Sequence, residues 1–365
     1  MEKVKVGVIG CGNISDIYFK NCSTGITIEL VACSDLNKEL AKHKATQYNI
    51  PLALPVNQLL TSPEIDLVIN LTPPSVHAEI SIQALKNDKH VYSEKPLAVN
   101  LEDGASIVKL AEEKQLLAGS APDTFLGSGI QTCQQLIQKG EIGVPLAATA
   151  FMMKSGPEQW HTNPEFFYQV GGGPLFDMGP YYLTALIQLL GPINSVVASA
   201  KINSHERVIK TGEKQGRSIN VETPTHYSGT LEFKNGPIAT MSMSFDVAAT
   251  DTPPMEIYGT EGTLKVPDPN TFGGPIFIKK KGEDNWREIE LEYPYTENCR
   301  GLGVMDMISS IKYNTPFRAN SQLAYHVLET MHAFHKSSNS GERATLQSHC
   351  KPSPLLVENS KLEPK

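Results

Sequence analysis

Val4-Lys5-Val6-Gly7-Val8-Ile9-Gly10-Cys11-Gly12-Asn13-Ile14-Ser15 is the stretch on which the reading of this chain turns. An apolar, β-branched run ends in two glycines spaced one residue apart, and a helical pattern opens directly behind them. Gly10 permits a tight turn, and Gly12 leaves the backbone open to the close approach of a pyrophosphate. The amides and positive end of the following helix, where Asn13 and Ile14 stand, would face that negative charge. Ser15 replaces the third glycine or alanine of the G-x-G-x-x-G pattern with another small residue, at the place where helix and strand pack closely. The stretch predicts a dinucleotide site contacted by Gly10, Gly12, Asn13 and Ile14.

The next apolar run, Ile28 to Cys33, leads into Ser34-Asp35. Asp35 lies about twenty residues past the glycine turn, where a carboxylate accepts hydrogen bonds from the adenosine ribose and repels a 2′-phosphate. NAD is therefore the expected cofactor in preference to NADP, the bland alternative being a surface aspartate that caps the next helix. Further runs at Leu67 to Leu71, His90 to Ser93 and Leu116 to Gly119 alternate with helical patterns at Ile80 to Lys86 and Glu102 to Lys114. Short apolar strands alternating with helices predict a doubly wound parallel sheet of the Rossmann type over residues 1–122.

The character changes after Asp123. A helix from Gly129 to Lys139 is followed by alternating, strand-like segments at Ala147 to Met153, Val196 to Lys201, Gly229 to Phe233 and Ala239 to Phe245, with a hairpin at Lys234-Asn235-Gly236-Pro237. More strands are expected at Met255 to Gly259, Gly262 to Val266 and Ile276 to Lys279, and helices at Val304 to Lys312 and Ser321 to His335. Residues 123–345 thus read as an α+β domain with a large, mainly antiparallel sheet, for substrate and self-association, and 346–365 as a loosely attached tail.

A chain of 365 residues exceeds what one core usually supports, and 40% hydrophobic with 19% charged residues is the balance of a folded globular protein. The formal charge of -7 and the lack of any basic run interleaved with aromatics make nucleic acid an unexpected partner. With neither a signal-peptide pattern nor a membrane-length apolar run, the expected compartment is the cytoplasm, with no membrane partner. The six cysteines show no C-x-x-C pair and read as reduced thiols, with no metal site.

Three further segments identify a family. Thr72-Pro73-Pro74-Ser75-Val76-His77 follows the third strand, Glu94-Lys95-Pro96-Leu97 follows the fourth, and Gly171-Gly172-Gly173-Pro174-Leu175-Phe176-Asp177-Met178-Gly179-Pro180-Tyr181 lies in the second domain. With the glycine turn they resemble the Gfo/Idh/MocA oxidoreductases, named for glucose-fructose oxidoreductase, inositol dehydrogenase and rhizopine catabolism. The resemblance implies hydride transfer between a nicotinamide and a carbon bearing a hydroxyl, often on a sugar or cyclic polyol. It makes Lys95 the acid-base or electrostatic group at the reacting carbinol and places Thr72, Pro73, His77, Glu94 and Lys95 at the cofactor. Pro96 would enter geometrically, through a cis peptide. His77 reads as a cap of the following helix rather than a titrating group.

Many relatives pair the second-domain aspartate with a histidine four residues on, whereas Asp177 here precedes Tyr181, as in the glucose-fructose oxidoreductase-like branch. An unperturbed phenol titrates near 10, so the proton acceptor stays open between Lys95 and Tyr181. Trp160 and His161 read equally as pocket lining or as an anchoring loop, and Asp123 as a substrate ligand or as packing between domains. A homodimer or homotetramer is expected. Two competing functions share these motifs: an NAD-dependent glycoside hydrolase that oxidises transiently, and a non-catalytic dinucleotide-binding regulator. Retention of Glu94, Lys95, Pro96 and Asp177 argues against the regulator.

Overall fold

The computed structural model describes residues 3–356. It divides into two compact units, the first made of the chain up to Ser128, Glu292–Leu328 and the segment from Ser353, the second of Gly129–Leu291 and Glu329–Pro352.

In the first unit β1 (Val4–Ile9), α1 (Ser15–Cys22), β2 (Ile28–Ser34), α2 (Lys38–Gln47), β3 (Leu52–Ala53), α3 (Val56–Thr61), β4 (Leu67–Asn70), α4 (His77–Lys86), β5 (His90–Ser93), α5 (Leu101–Lys114) and β6 (Ala118–Ser120) follow one another. The strands form one sheet in the order β3-β2-β1-β4-β5-β6 with parallel pairing throughout. This is the expected Rossmann arrangement. Every residue of β4 is buried, as a sheet covered on both faces requires. Helix starts follow local chemistry: the Asn37 side chain accepts from the amides of Glu39 and Leu40, and Asn100 from that of Asp103. On α4 and α5 the predicted apolar positions Ile80, Ala84, Leu85, Ile107 and Ala111 are buried, whereas Val108 and Leu110, predicted with them, are half-buried. The short β3, absent from the predicted strands, is two exposed residues held between Pro51 and Pro55, too short a run to read as a strand.

The sequence places the end of this domain at residue 122, yet α8 (Leu302–Tyr313) and the start of α9 (Ser321–Ser340) belong to the same unit. Buried Asp123 explains α8: its Oδ2 accepts from the amides of Gly301 (2.9 Å) and Gly303 (3.0 Å) at the helix start. The tail also departs from the expectation of a loose attachment. Arg318 Nε donates to Pro354 O (2.9 Å), Nη2 to Leu355 O (3.2 Å) and Nη1 to the buried Asp306, and Leu356 is buried. Residues 357–365, the rest of that tail, lie outside the described residues.

The second unit contains α6 (Ser128–Gln138), which starts at the dividing residue, then β7 (Pro145–Met153), α7 (Gly173–Leu190), β8 (Ile193–Lys201), the small pair β9 (Glu206–Val208) and β10 (Ser218–Asn220), β11 (His226–Phe233), β12 (Ile238–Ser244), β13 (Met255–Gly259), β14 (Gly262–Val266), β15 (Ile276–Lys280), β16 (Arg287–Ile289) and β17 (Ala344–Thr345). Nine of these strands form a sheet in the order β16-β15-β14-β13-β7-β12-β11-β8-β17. It is antiparallel except where β7 and β12 run parallel. The predicted hairpin at Asn235-Gly236 joins β11 to β12, with Gly236 at φ 104°. One face of the sheet is core: Tyr227, Leu231, Met241 and Met243 are fully buried. On the other face Thr230 and Thr240 are exposed, and Val197 and Ile238 remain 44% and 49% exposed. Among the described residues no helix is long and apolar enough to cross a membrane.

Candidate active site

At the end of β1 the chain turns at Gly10 with φ 100°, and its amide donates to Ser34 O (2.8 Å). A Cβ on Gly10 would stand 2.5 Å from the carbonyl oxygen of Leu71, so both the torsion and the packing demand glycine. Gly12 differs: a Cβ there would meet nothing within 4 Å. Its space is open on the face where Asn13 and Ile14 are exposed, and no side chain caps the start of α1. Ser15 is fully buried and its hydroxyl donates to Gly12 O (2.7 Å), which is how serine serves in the third small position.

Asp35 stands at the mouth of this turn. Its Oδ2 accepts from the amide of Cys11 (2.8 Å) and its Oδ1 from that of Asn37 (2.8 Å). The carboxylate is thus fixed to the glycine turn, and lone pairs on each oxygen remain for a ribose diol. An open glycine, an uncapped helix start and an anchored carboxylate together fit a dinucleotide.

Two more loops leave the carboxyl ends of β4 and β5. Asn70, fully buried at the end of β4, donates to His77 O (2.9 Å) and Ser81 Oγ (3.2 Å) and accepts from the Thr72 hydroxyl (2.6 Å), which organises the Thr72-Pro73-Pro74 loop. The His77 ring is 1% exposed and lies between Pro96 O (Nδ1, 2.7 Å) and Thr72 O (Nε2, 2.6 Å). Only a doubly protonated ring could donate to both oxygens, but burial pulls its pKa below the ordinary value and favours the neutral form. The expectation that His77 caps a helix is corrected: it is the first residue of α4, its ring ties two loops together, and the N-cap residue is Val76. The ring is enclosed and serves as a link between the Thr72 and Pro96 backbones.

Beyond β5, Glu94 and Lys95 are half-buried and the Lys95-Pro96 peptide is cis, as expected. Glu94 Oε2 accepts the Lys95 amide (3.0 Å), and the amide of Glu94 donates to Asn70 O (2.8 Å). Glu94 Oε1 accepts from Tyr18, a residue of α1 that the sequence reading passes over. Asp123, for which the sequence leaves a substrate contact and packing between domains both open, is 1% exposed and anchors the start of α8 within its own unit. Burial raises its carboxyl to about 6, against the lowering effect of the Gly303 amide and of Arg300.

In the second unit the triple glycine opens α7. Gly173 has φ 81°, and a Cβ on Gly172 would lie 2.6 Å from Phe166 O, so the preceding loop packs directly on the turn. Of the residues in α7 only Asp177 and Met178 are partly open; the others, Tyr181 among them at 8% exposed, are buried. Asp177 and Tyr181 are four apart and share a face. The loop is held from beneath by Glu158, which is 3% exposed and accepts from Tyr168 Oη and from Arg207, while Arg207 also pairs with Asp246. Above this network Trp160 is 65% exposed, and the His161 ring has its centroid 5.4 Å from Trp160 and 5.5 Å from Phe166.

Each unit matches a family model. Residues 4–121 match the oxidoreductase family with NAD-binding Rossmann fold, and residues 130–265 match the GFO/IDH/MocA C-terminal domain. The chain belongs to the Gfo/Idh/MocA family. Among its relatives, dTDP-3,4-didehydro-2,6-dideoxy-alpha-D-glucose 3-reductase of Saccharopolyspora spinosa is 35% identical over 56% of this chain and 60% of the relative. D-glucoside 3-dehydrogenase of Escherichia coli is 25% identical over 94% and 97% of the two chains. Levoglucosan dehydrogenase in complex with NADH and L-sorbose superposes with a TM-score of 0.83 at 18% identity, over 95% of this chain and 100% of that one, a likeness of fold. Within the two matched segments stand Lys95 and, four residues apart, Asp177 and Tyr181.

Proposed function

We propose that this protein transfers a hydride between the nicotinamide of NAD and a carbinol or carbonyl carbon of a sugar, inositol or related polyol. The observation that carries this reading is the position of three loops: the glycine turn, the Thr72-Pro73-Pro74 loop and the Glu94-Lys95 turn leave the carboxyl ends of adjacent strands β1, β4 and β5. That is where open α/β sheets bind their ligands. The relatives' names, which include reductases and dehydrogenases of sugars and inositols, support the substrate class.

Gly10, Gly12, Asn13, Ile14 and Asp35 would hold the adenosine and pyrophosphate part, with Thr72, Pro73 and Glu94 toward the nicotinamide. NAD, when bound, supplies the two-electron acceptor. Asp35 favours NAD over NADP, since a 2′-phosphate would bring a second negative charge against its anchored carboxylate. Oxidising a carbinol releases a hydroxyl proton as the hydride leaves. Lys95 takes that proton when neutral, or stabilises the developing alkoxide when charged. Asp177 accepts hydrogen bonds from substrate hydroxyls, and Tyr181 relays the proton. Trp160 and His161 present ring faces on which a sugar can stack.

The partly exposed Val197 and Ile238 on the uncovered sheet face favour a homodimer or homotetramer assembled through that face. We place the enzyme in the cytoplasm, the compartment in which thiols such as the six here stay reduced.

A panel of sugars, inositols and their keto forms with NAD(H) and NADP(H) tests the reading. It expects net NADH formation from a free sugar or polyol. Release of an aglycone from a glycoside added to the panel, without net NADH, would establish the hydrolase instead, and a protein that binds NAD but turns over none of the panel would point to the regulator.

A further inference from the structure

Helix α1 begins at the glycine turn, and Tyr18 lies one turn into it, fully buried. A buried phenol needs an acceptor. Tyr18 finds it on another loop: its hydroxyl donates to Glu94 Oε1 at 2.8 Å. The other carboxylate oxygen of Glu94 accepts the amide of Lys95 at 3.0 Å, and the backbone of Glu94 is fixed by its amide on Asn70 O (2.8 Å) and by Ser120 Oγ on its carbonyl (3.3 Å). With the backbone and one oxygen held locally, Tyr18 supplies the contact that reaches Glu94 from the helix behind the glycine turn.

We infer that Tyr18 is a positioning residue for the reaction proposed above: its buried hydroxyl fixes the Glu94 carboxylate and, through it, the backbone that carries Lys95. The inference rests on the reading of Lys95 as the group at the reacting carbon. Burial and the neighbouring Glu94 and Asp123 carboxyls push the Tyr18 phenol well above its ordinary pKa, so it remains a neutral donor. Glu94 also lies within electrostatic reach of His77 on α4 and of Asp123 in the loop after β6. Neither is shown donating to its carboxylate. Phenylalanine would fill the same core volume as Tyr18, so removing the hydroxyl separates positioning from packing.

The test is a double-mutant cycle in the full-length protein, with the best substrate of the panel and with NAD binding measured independently. Tyr18→Phe is expected to lower kcat about tenfold or more, the scale of losing a hydrogen bond to a charged group, with NAD Kd changed less than about threefold. Glu94→Ala, which leaves the Tyr18 hydroxyl no acceptor at that place, is expected to lower kcat as well. Adding Tyr18→Phe to Glu94→Ala should change kcat less than about twofold, because the hydroxyl acts through that carboxylate. Independent, multiplying effects would overturn the inference, as would a loss confined to NAD affinity. If Tyr18→Phe does not fold, Tyr18→Met, which also lacks the hydroxyl, takes its place in the same cycle with the same two readings. Normal turnover in Tyr18→Phe beside a crippled Lys95→Ala overturns this inference only. An inactive wild type, or an unimpaired Lys95→Ala, overturns the functional reading and this inference with it.

Discussion

The two glycines of the first turn should fail in opposite ways when each is replaced by alanine. At Gly10 the backbone has φ 100°, and the new Cβ would stand 2.5 Å from the Leu71 carbonyl oxygen. Left-handed backbone costs an L-residue about 1–2 kcal/mol. Overpacking against a fixed carbonyl adds about 1–3 kcal/mol. Gly10→Ala should therefore lose about 2–5 kcal/mol, or roughly 5–15 °C in the unfolding of a unit of this size. Gly12 has no positive φ, and a Cβ there meets nothing within 4 Å. Gly12→Ala should leave the apo-protein unchanged or raise its stability by up to about 1 kcal/mol, since alanine restricts the unfolded chain. Its cost appears only with the dinucleotide. At a hundred times Kd, NAD stabilises the wild type by about 2.7 kcal/mol, and a tenfold loss of affinity would roughly halve that gain. Thermal unfolding of the three proteins with and without NAD measures both effects. A Gly12→Ala protein as unstable as Gly10→Ala, or one whose NAD-induced shift matches wild type, would refute the reasoning.

Asp35→Ser should narrow the preference for NAD over NADP by about tenfold or more, through loss of the repelling carboxylate. Titration of both nucleotides into apo-protein checks it, and an unchanged ratio removes Asp35 from the specificity argument. Asp123 gives a pH signature: its carboxyl stands at about 6 in the folded protein against an ordinary 3.8, so between these values the native state binds more proton than the unfolded one. Stability relative to the non-ionising Asp123→Asn should be greatest below pH 4 and fall as pH rises to about 6, by a total of about 3 kcal/mol at most. Unfolding of both proteins across that range tests the sign, and a difference that stays flat or rises with pH contradicts it.

Much of this architecture is legible from local pattern. Parallel strands buried on both faces read as apolar runs, and the glycines, Asp35 and the Asn235-Gly236 hairpin are signalled by residue type and position, while the cis-proline turn is expected from the family resemblance. The missed features depend on partners far away in sequence. Tyr18 occupies an ordinary buried position of α1, and only the fold brings its hydroxyl to Glu94. Asp123 looks like a loop carboxylate until Gly301 and Gly303 close on it. Ser353 to Leu356 has no periodicity because backbone carbonyls, which any residue supplies, receive Arg318. Asn70 did carry a signal: an amide closing the apolar run Leu67-Val68-Ile69 is a polar group in a buried strand end, which demands partners.

Lys95→Ala offers the most direct measurement of the central claim. With a sugar or polyol that the wild type oxidises, the variant should bind NAD within about threefold of wild type and unfold at a similar temperature, yet lose turnover by about a hundredfold or more, as for a positioned acid-base group. Near-normal NADH formation by Lys95→Ala would contradict the assignment of the reaction to this lysine.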